Sequence, residues 1–336
     1  MSVFNTIVSR TPVDKGWSGD RKYKAVTADG TAYFLRISPM HKYENLRLQF
    51  SHMAKAQALG VRLCAPVELG VCDVGVYTLL EWIDGRDAEE VLPTLDEKAQ
   101  YTYGQEAGRM LKAMHTLPAP IEVEPWAVRY QRKLDAKIAA YRACPVQYEK
   151  GELYLELLKR ERHLAKDRPQ MWLHGDYHCG NQMFNEKMEL VVIDFDREDA
   201  GDPWYEFNRI IWDGRAAPAY ARGMVDGYFD GEPIPAEFWH LMRLYLSQNM
   251  VSSVVWARER SERDLAIAIE NGNRVLEWYD DLKELVPIWY RNKKQKARHC
   301  EEGVARRGNP VTFCPGFEGF YSYLRDSHAS VRTGSE

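Results

Sequence analysis

Residues 173–181 read LHGDYHCGN, and residues 190–196 read LVVIDFD. More than any other part of the chain, these two segments indicate a chemistry. Phosphoryl transfer to an alcohol needs a carboxylate that positions the hydroxyl and accepts its proton, together with oxygen ligands for magnesium. Asp176 can be that carboxylate, Asn181 can return its amide oxygen from the same loop, and Asp194 ends an apolar strand. The pattern therefore predicts three oxygen-bearing side chains that converge from one loop and one strand end.

This arrangement resembles the aminoglycoside phosphotransferase and choline-kinase-like family of small-molecule kinases, which are distant relatives of protein kinases. The family hallmark is H-G-D-x-x-x-x-N followed by a strand that ends in Asp, with G-D-P and an acidic residue further along. The matching residues are His174, Asp176, Asn181 and Asp194, then Gly201-Asp202-Pro203 and Glu206. Several features in order make the resemblance specific.

The resemblance implies a role for each of the principal residues. Asp176 would be the catalytic base, and Asn181 and Asp194 would hold Mg²⁺. His174 would shape the loop by holding nearby backbone, and Asp202 would brace the catalytic loop or cap a helix.

The N-terminal quarter of the chain is mainly β in pattern. Residues 23–38 predict a hairpin, because Asp29-Gly30 separates two apolar runs. Residues 43–59 have helical spacing, and two further strands are expected at 66–72 and 75–83. The predicted order is strand, strand, helix, strand, strand.

Nucleotide contacts are expected in this lobe. Gly16, Ser18 and Gly19 precede the hairpin, in a turn whose backbone N–H groups can approach phosphates. The resemblance calls for a lysine on a strand, paired with a helix glutamate. This sequence has Arg36 instead, whose planar fork is not equivalent to an ammonium, and Glu44 is its predicted partner.

Residues 79–85 lie where two lobes would join. By the resemblance, the main chain of Glu81 and Ile83 would bind the purine. The donor is then ATP or GTP, and the sequence leaves that choice open.

The rest of the chain is largely helical in pattern. Helical spacing recurs at 99–115, 127–142, 236–256 and 262–282. The predicted fold class is therefore α+β, a bilobal protein-kinase-like fold. A small antiparallel β-sheet lobe with one helix would span 1–84, a larger mainly helical catalytic and substrate lobe 85–290, and a poorly ordered, irregular tail 291–336.

Bulk composition limits the partners. The 336-residue chain has a net charge of −4, and because its last segment is basic, the preceding body is acidic. Such a body argues against binding to nucleic acid. No apolar stretch is long enough to cross a bilayer, no signal-peptide pattern is visible, and the six cysteines form no C-x-x-C pair. These features predict a cytoplasmic protein with no membrane partner.

The substrate is predicted to be a small cationic molecule with a hydroxyl. Carboxylates suit the ammonium groups of an amino sugar, and an aminoglycoside-type antibiotic is the first expectation. The candidate carboxylates are Asp84, Asp87, Glu89, Glu90, Glu198 and Asp199.

Two alternatives stay open at this point. A metal-dependent hydrolase could use a cluster of His174, Asp176 and His178. A kinase-like module could also bind nucleotide without catalysing a reaction.

Overall fold

The computed structural model describes residues 2–14, 19–120 and 122–291. These described residues belong to one compact unit. The predicted irregular tail lies outside the described residues from 292 onward, and the predicted boundary between lobes at residue 84 stays a prediction. In the described ranges, no helix is both long enough and apolar enough to span a bilayer.

An antiparallel five-stranded sheet occupies the N-terminal part, in the order β1-β2-β3-β5-β4. Its strands are β1 (Ile7–Pro12), β2 (Arg21–Thr27), β3 (Ala32–Ser38), β4 (Pro66–Cys72) and β5 (Gly75–Glu81). Helix α1 (Tyr43–Ala58) lies between β3 and β4 in sequence. The predicted hairpin is therefore present, and the helix and the following two strands are also present. Strand β1 was not predicted.

Side-chain alternation along β3 places the N-terminal core. Leu35 and Ile37 are buried with Ala25, Tyr77 and Leu79 in one apolar cluster on the sheet. Because successive side chains on a strand point to opposite faces, Arg36 lies on the other face. It is nevertheless buried there.

The remaining elements form a mainly helical part with small strands. The helices are α2 (Ala88–Val91), α3 (Glu97–Met114), α4 (Trp126–Ala143), α5 (Gly151–Glu161), α6 (Ile210–Ala216), α7 (Pro218–Phe229), α8 (Ala236–Arg258) and α9 (Glu262–Trp278). The strands are β6 (Gly85–Asp87), β7 (Met171–Leu173), β8 (Gln182–Asn185), β9 (Leu190–Val192) and β10 (Asp199–Gly201). The α+β class with an N-terminal antiparallel sheet and a helical C-terminal part is confirmed.

The small strands hold the functional loops in place. β7 pairs with β10, and β8 lies between β6 and β9. The loop that contains Asp176 leaves β7 and returns to β8, and Asp194 follows β9. Both motif segments therefore emerge from paired strands whose cores are buried.

Candidate functional site

The His174 ring connects the two motif segments through hydrogen bonds to their backbone. It is fully buried, and its Nε2 donates to the carbonyl of Ile193 at 3.0 Å, while its Nδ1 accepts from the N–H of Asp176 at 3.3 Å. Burial lowers the pKa of the His174 imidazole, so the ring is neutral at neutral pH. The ring therefore fixes the loop around Asp176 against the residue that precedes Asp194.

Gly175 occupies a position that only glycine fits. Its φ is +84°, and a Cβ built there would lie 1.8 Å from the carbonyl oxygen of Arg197. Its N–H donates to Oε1 of the buried Glu206 at 2.7 Å. Burial raises the pKa of Glu206 to about 8, so this carboxyl is protonated at neutral pH.

Replacing Gly175 with Ala should disturb both stability and activity, whereas Gly60→Ala provides a matched control. Gly60 has the same φ of +84° but no atom within 4 Å of a Cβ, so its replacement meets only the left-handed backbone penalty of about 1 kcal/mol. Gly175→Ala should cost more, because the Arg197 carbonyl must also move. Urea unfolding and nucleotide turnover measure the two effects, and equal losses in both variants would contradict this account of the loop.

Asp176 lies among positively charged and imidazole groups. Its carboxylate is 2.8 Å from Nε of Arg209, 3.5 Å from Nε of Arg197 and 3.6 Å from Nε2 of His178. Burial alone would raise the pKa of Asp176, but Arg209, His178 and Arg197 outweigh it and hold that pKa below the ordinary value. The group is thus ionised at neutral pH and can accept a hydrogen bond from a hydroxyl.

Asn181 presents an oxygen because its amide nitrogen is already used. Nδ2 donates to the carbonyl of Asp176 at 2.8 Å, which leaves Oδ1 on the opposite side of the planar amide. The Asn181 carbonyl also accepts from the N–H of Ile193 at 3.0 Å. The loop and the end of β9 are therefore joined at two points, one through His174 and one through Asn181.

Asp194 adopts a backbone conformation that is uncommon for a residue with a side chain. Its φ is +60°, and the residue is exposed. Such strain is concentrated at functional sites, where the surrounding structure imposes it. Here the hydrogen bonds that the backbone of the neighbouring Ile193 forms with His174 and Asn181 constrain the backbone of Asp194.

The donor atoms near Asp194 suit magnesium. Mg²⁺ is often bound by one or two carboxylates together with substrate phosphates, and an amide oxygen is an equally hard ligand. Within the described ranges, no three His, Cys, Asp or Glu side chains form a metal-binding group. One carboxylate from Asp194 and one oxygen from Asn181 fit a site that a nucleotide's phosphates would complete.

Asp202 is fully buried and bonded on both oxygens. It accepts from Nε and Nη2 of Arg168 at 2.9 and 3.1 Å, and from the hydroxyl of Tyr245 at 2.7 Å. It also caps the 3₁₀ helix Pro203–Arg209, since its Oδ1 accepts from the N–H of Trp204 at 3.0 Å. Burial raises the pKa of Asp202 despite these partners. Because this short helix carries both Glu206 and Arg209, Asp202 positions the groups that contact the Asp176 loop.

Arg36 pairs with a different carboxylate from the one predicted. Both of its terminal nitrogens donate to Asp196, and its Nε is 3.6 Å from Asp20. The Arg36 side chain is 9% exposed, whereas that of Glu44 is 68% exposed and pairs with Arg47 at 2.9 Å. The predicted Arg36–Glu44 pair is therefore wrong, because the first turn of α1 directs Glu44 towards solvent.

The other predicted nucleotide contacts are only partly described. Gly16 and Ser18 lie outside the described residues, and Gly19 has open space around it. Glu81 ends β5, and its N–H already donates to the carbonyl of Ala65 at 2.8 Å. Glu81 can thus offer a purine at most its carbonyl, and Ile83 follows it in the joining segment.

The sequence did not indicate the role of several residues near the motif. Gln49 donates to the carbonyl of Phe195 at 2.5 Å, and the buried carboxylate of Asp20 pairs with Lys42 at 2.8 Å. Lys22 lies opposite Arg36 in the β2–β3 register, and burial followed by Arg36 lowers its pKa. These contacts join residues far apart in sequence, so no local pattern could have indicated them. The one local signal was Asp20 directly after Gly19.

Three of the carboxylates expected to bind a cationic substrate have partners within the protein. Asp84 is 3.5 Å from Lys24, and Asp199 is 2.9 Å from Arg129. Glu198 accepts from Nε1 of Trp172 at 2.8 Å. These three are therefore already used in internal contacts.

Comparison with solved structures shows what the fold is similar to. A thermostable mutant of aminoglycoside phosphotransferase APH(4)-Ia, in ternary complex with ADP and hygromycin B, matches with a TM-score of 0.60 at 15% identity, covering 81% of this chain and 95% of that chain. Amicoumacin kinase hAmiN, in complex with AMP-PNP, Ca²⁺ and Ami, matches with a TM-score of 0.58 at 13% identity, covering 86% and 95%. An aminoglycoside phosphotransferase from Alicyclobacillus acidocaldarius subsp. acidocaldarius DSM 446 matches with a TM-score of 0.55 at 14% identity, covering 88% and 93%.

Sequence comparison supplies the family. No curated protein sequence matches the chain. The family model described as "Phosphotransferase enzyme family" matches residues 9–238, which is more than half of the chain. The resemblance seen in the motif is therefore confirmed, and with it the prediction of a phosphotransferase enzyme with a kinase-like fold. This chain belongs to the phosphotransferase enzyme family.

Proposed function

We propose that the chain transfers the terminal phosphoryl group of ATP or GTP to a hydroxyl of a small molecule, with Asp176 as the base. One observation carries the proposal. The carbonyl of Ile193 accepts a hydrogen bond from His174, and the N–H of Ile193 donates one to the carbonyl of Asn181. These two hydrogen bonds hold the Asp176 loop against the strand end that bears Asp194. Two carboxylates and an amide oxygen are thereby gathered on adjoining backbone, as in-line phosphoryl transfer requires.

Each residue then has a definite task. The Asp176 carboxylate accepts a hydrogen bond from the acceptor hydroxyl and takes its proton as the new oxygen–phosphorus bond forms. The bond from the terminal phosphorus to the bridging oxygen breaks, and the nucleoside diphosphate leaves. Mg²⁺, held by Asn181 and Asp194, would neutralise charge on the phosphates.

The nucleotide lobe supplies positive charge and backbone contacts. Arg36 and Lys22 face the same side of the sheet, and both lie near Asp194. The turn with Gly16, Ser18 and Gly19 precedes this pair, and we assign it to the phosphates. The carbonyl of Glu81 and the main chain of Ile83 would contact the purine. The named complexes of similar structures contain ADP or AMP-PNP, which agrees with a nucleoside triphosphate donor.

Hydrolysis by a metal cluster has less support. A ligand cluster of His174, Asp176 and His178 needs a free ring nitrogen on His174, but both of its nitrogens bond to backbone groups. Arg209 and Arg197 also place positive charge next to Asp176, which disfavours a cation bound directly to that carboxylate.

Release of nucleoside diphosphate tests the proposal. Purified protein should be incubated with ATP or GTP, Mg²⁺ and a panel of hydroxyl compounds that includes aminoglycosides, macrolides, amino alcohols and hydroxy acids. We expect consumption of nucleotide that depends on one class of acceptor. Nucleotide binding without consumption on every acceptor would favour a non-catalytic module, and phosphate-ester hydrolysis without nucleotide would favour a hydrolase. Aminoglycosides belong in the panel because hygromycin B and spectinomycin are named in complexes of similar structures.

A further inference from the structure

Cationic side chains extend from Asp176 towards α4 and α8. Arg209, 2.8 Å from the Asp176 carboxylate, also donates to Oδ1 of Asn249 on α8 at 3.4 Å. Lys137 on α4 donates to Oγ of Ser252, one turn beyond Asn249, at 3.2 Å. A cationic cluster thus begins at the proposed base and continues along the seam between these two helices.

Tyr205 links the members of this cluster. The ammonium of Lys133, one turn before Lys137 on α4, lies 5.0 Å from the centroid of the Tyr205 ring. The Tyr205 hydroxyl oxygen accepts from Nε2 of the buried Gln248 at 3.2 Å. Burial alone would raise the pKa of the Tyr205 phenol, but Lys137, Lys133, Gln248 and Arg209 together bring it below the ordinary value. Three positive groups therefore surround one buried ring.

Arg209 is paired with Asp176, but the two lysines carry positive charge that has no paired carboxylate among the described residues. In the part of the chain that the structure describes, neither Lys133 nor Lys137 forms an ion pair with a carboxylate. Burial, followed by the proximity of other cations, lowers the pKa of Lys137, although Tyr205 opposes that change. Lys133 is exposed and Lys137 only partly buried, so a ligand in solution can reach them. An anion placed here would gain charge-assisted hydrogen bonds and relieve repulsion among the cations.

We propose that the acceptor carries an anionic group, a carboxylate or a phosphate, which Lys133, Lys137 and Arg209 bind while its hydroxyl lies against Asp176. The inference rests on the proposed function, because it concerns the acceptor side of the same site. It departs from the cationic amino sugar expected from the sequence. A polycation would meet like charges here, and three of the carboxylates expected to bind it, Asp84, Glu198 and Asp199, have partners elsewhere.

Binding of a set of ligands with matched skeletons and different charges tests this proposal. Gluconate, glucose 6-phosphate, glucosamine and glucose share a polyol skeleton and differ in charge. Each would be titrated by ligand-detected NMR at constant ionic strength, with Mg–ADP saturating so that the nucleotide's own phosphate positions are filled. At least one anion should bind more tightly than glucose, glucosamine should bind least, and the two anions separate a carboxylate from a phosphate preference.

Variants then locate the binding site. Changing Lys133→Met and Lys137→Met together keeps the apolar stems but removes both charges, and should weaken the preferred anion about tenfold or more. Lys98→Met, at an exposed position on α3, is the control and should change nothing. Tightest binding of glucosamine, no preference of either anion over glucose, or anion binding unchanged in the double variant would each overturn the proposal. Because binding needs no turnover, these outcomes are independent of whether nucleotide is consumed.

Discussion

Asp176→Asn should lower turnover by about 10²- to 10⁴-fold while nucleotide affinity changes little. The amide has nearly the same shape as the carboxylate but cannot take the proton of the acceptor hydroxyl. Arg209 and Arg197 hold the Asp176 side chain in place, and His174 holds its backbone, so the loop should keep its structure. Turnover is measured as nucleoside diphosphate release, and affinity by equilibrium binding of a non-hydrolysable nucleotide.

Asp230→Asn provides the control for this substitution. Asp230 is 71% exposed at the C-terminus of α7 with φ +46°, a conformation that Asn adopts readily, so turnover should stay near that of the wild type. Near-normal turnover in Asp176→Asn would refute its assignment as the base. Loss of nucleotide binding together with turnover would instead indicate a structural role for Asp176.

Arg168→Met should destabilise the fold by about 3–5 kcal/mol, the typical cost of leaving a buried charge without its partner. Asp202 is fully buried and accepts from two nitrogens of Arg168, and Tyr245 and Trp204 supply only neutral donors. Arg132→Met is the control, because its pair with Glu124 is solvent-exposed, and it should shift the urea midpoint very little. Equal shifts in the two variants would contradict the account of Asp202.

The loss of stability in Arg168→Met should also depend on pH. Burial already raises the pKa of Asp202 in the folded protein, and removing Arg168 should raise it further. A folded-state pKa above the unfolded value means that the folded chain binds the extra proton, so the variant gains stability relative to the wild type as pH falls. The difference in unfolding free energy should therefore narrow between pH 7 and pH 5. A constant difference across that range would show that the Asp202 charge is not its cause.

The regular elements of the N-terminal lobe were predictable from sequence, because their signals are local. The hairpin from β2 to β3 has Asp29-Gly30 at its turn, and α1 has helical spacing. Strand β1 lacked such a signal, since all but its first residue are exposed and its side chains show no alternation. Its position depends on pairing with β2, which only the folded sheet provides.

In the candidate site, too, the residues of a local motif were predictable, whereas contacts between distant residues were not. His174, Asp176, Asn181 and Asp194 could be selected because a short motif contains them in order. The partner of Arg36 could not be predicted in this way, because Asp196 lies 160 positions away and Glu44 is the nearer acidic residue. The cations near Tyr205 come from α4 and from the 3₁₀ helix after Asp202, so their proximity appears only when these elements pack together. The acidic overall composition favours a cationic acceptor, whereas these packed cations support the anionic acceptor proposed above.

The geometry around the divalent ion tests the central claim most directly. A crystal structure of the protein with a non-hydrolysable nucleotide and Mg²⁺, and with Mn²⁺ to locate the ion by anomalous scattering, would measure it. We predict that one ion is bonded to Oδ1 of Asn181 and to an Asp194 oxygen, at about 2.0–2.1 Å for Mg²⁺, together with nucleotide phosphate oxygens. The Asp176 carboxylate should lie beside the terminal phosphate without binding the ion. An ion held by Asp176 or His178, or one that contacts neither Asn181 nor Asp194, would contradict the account.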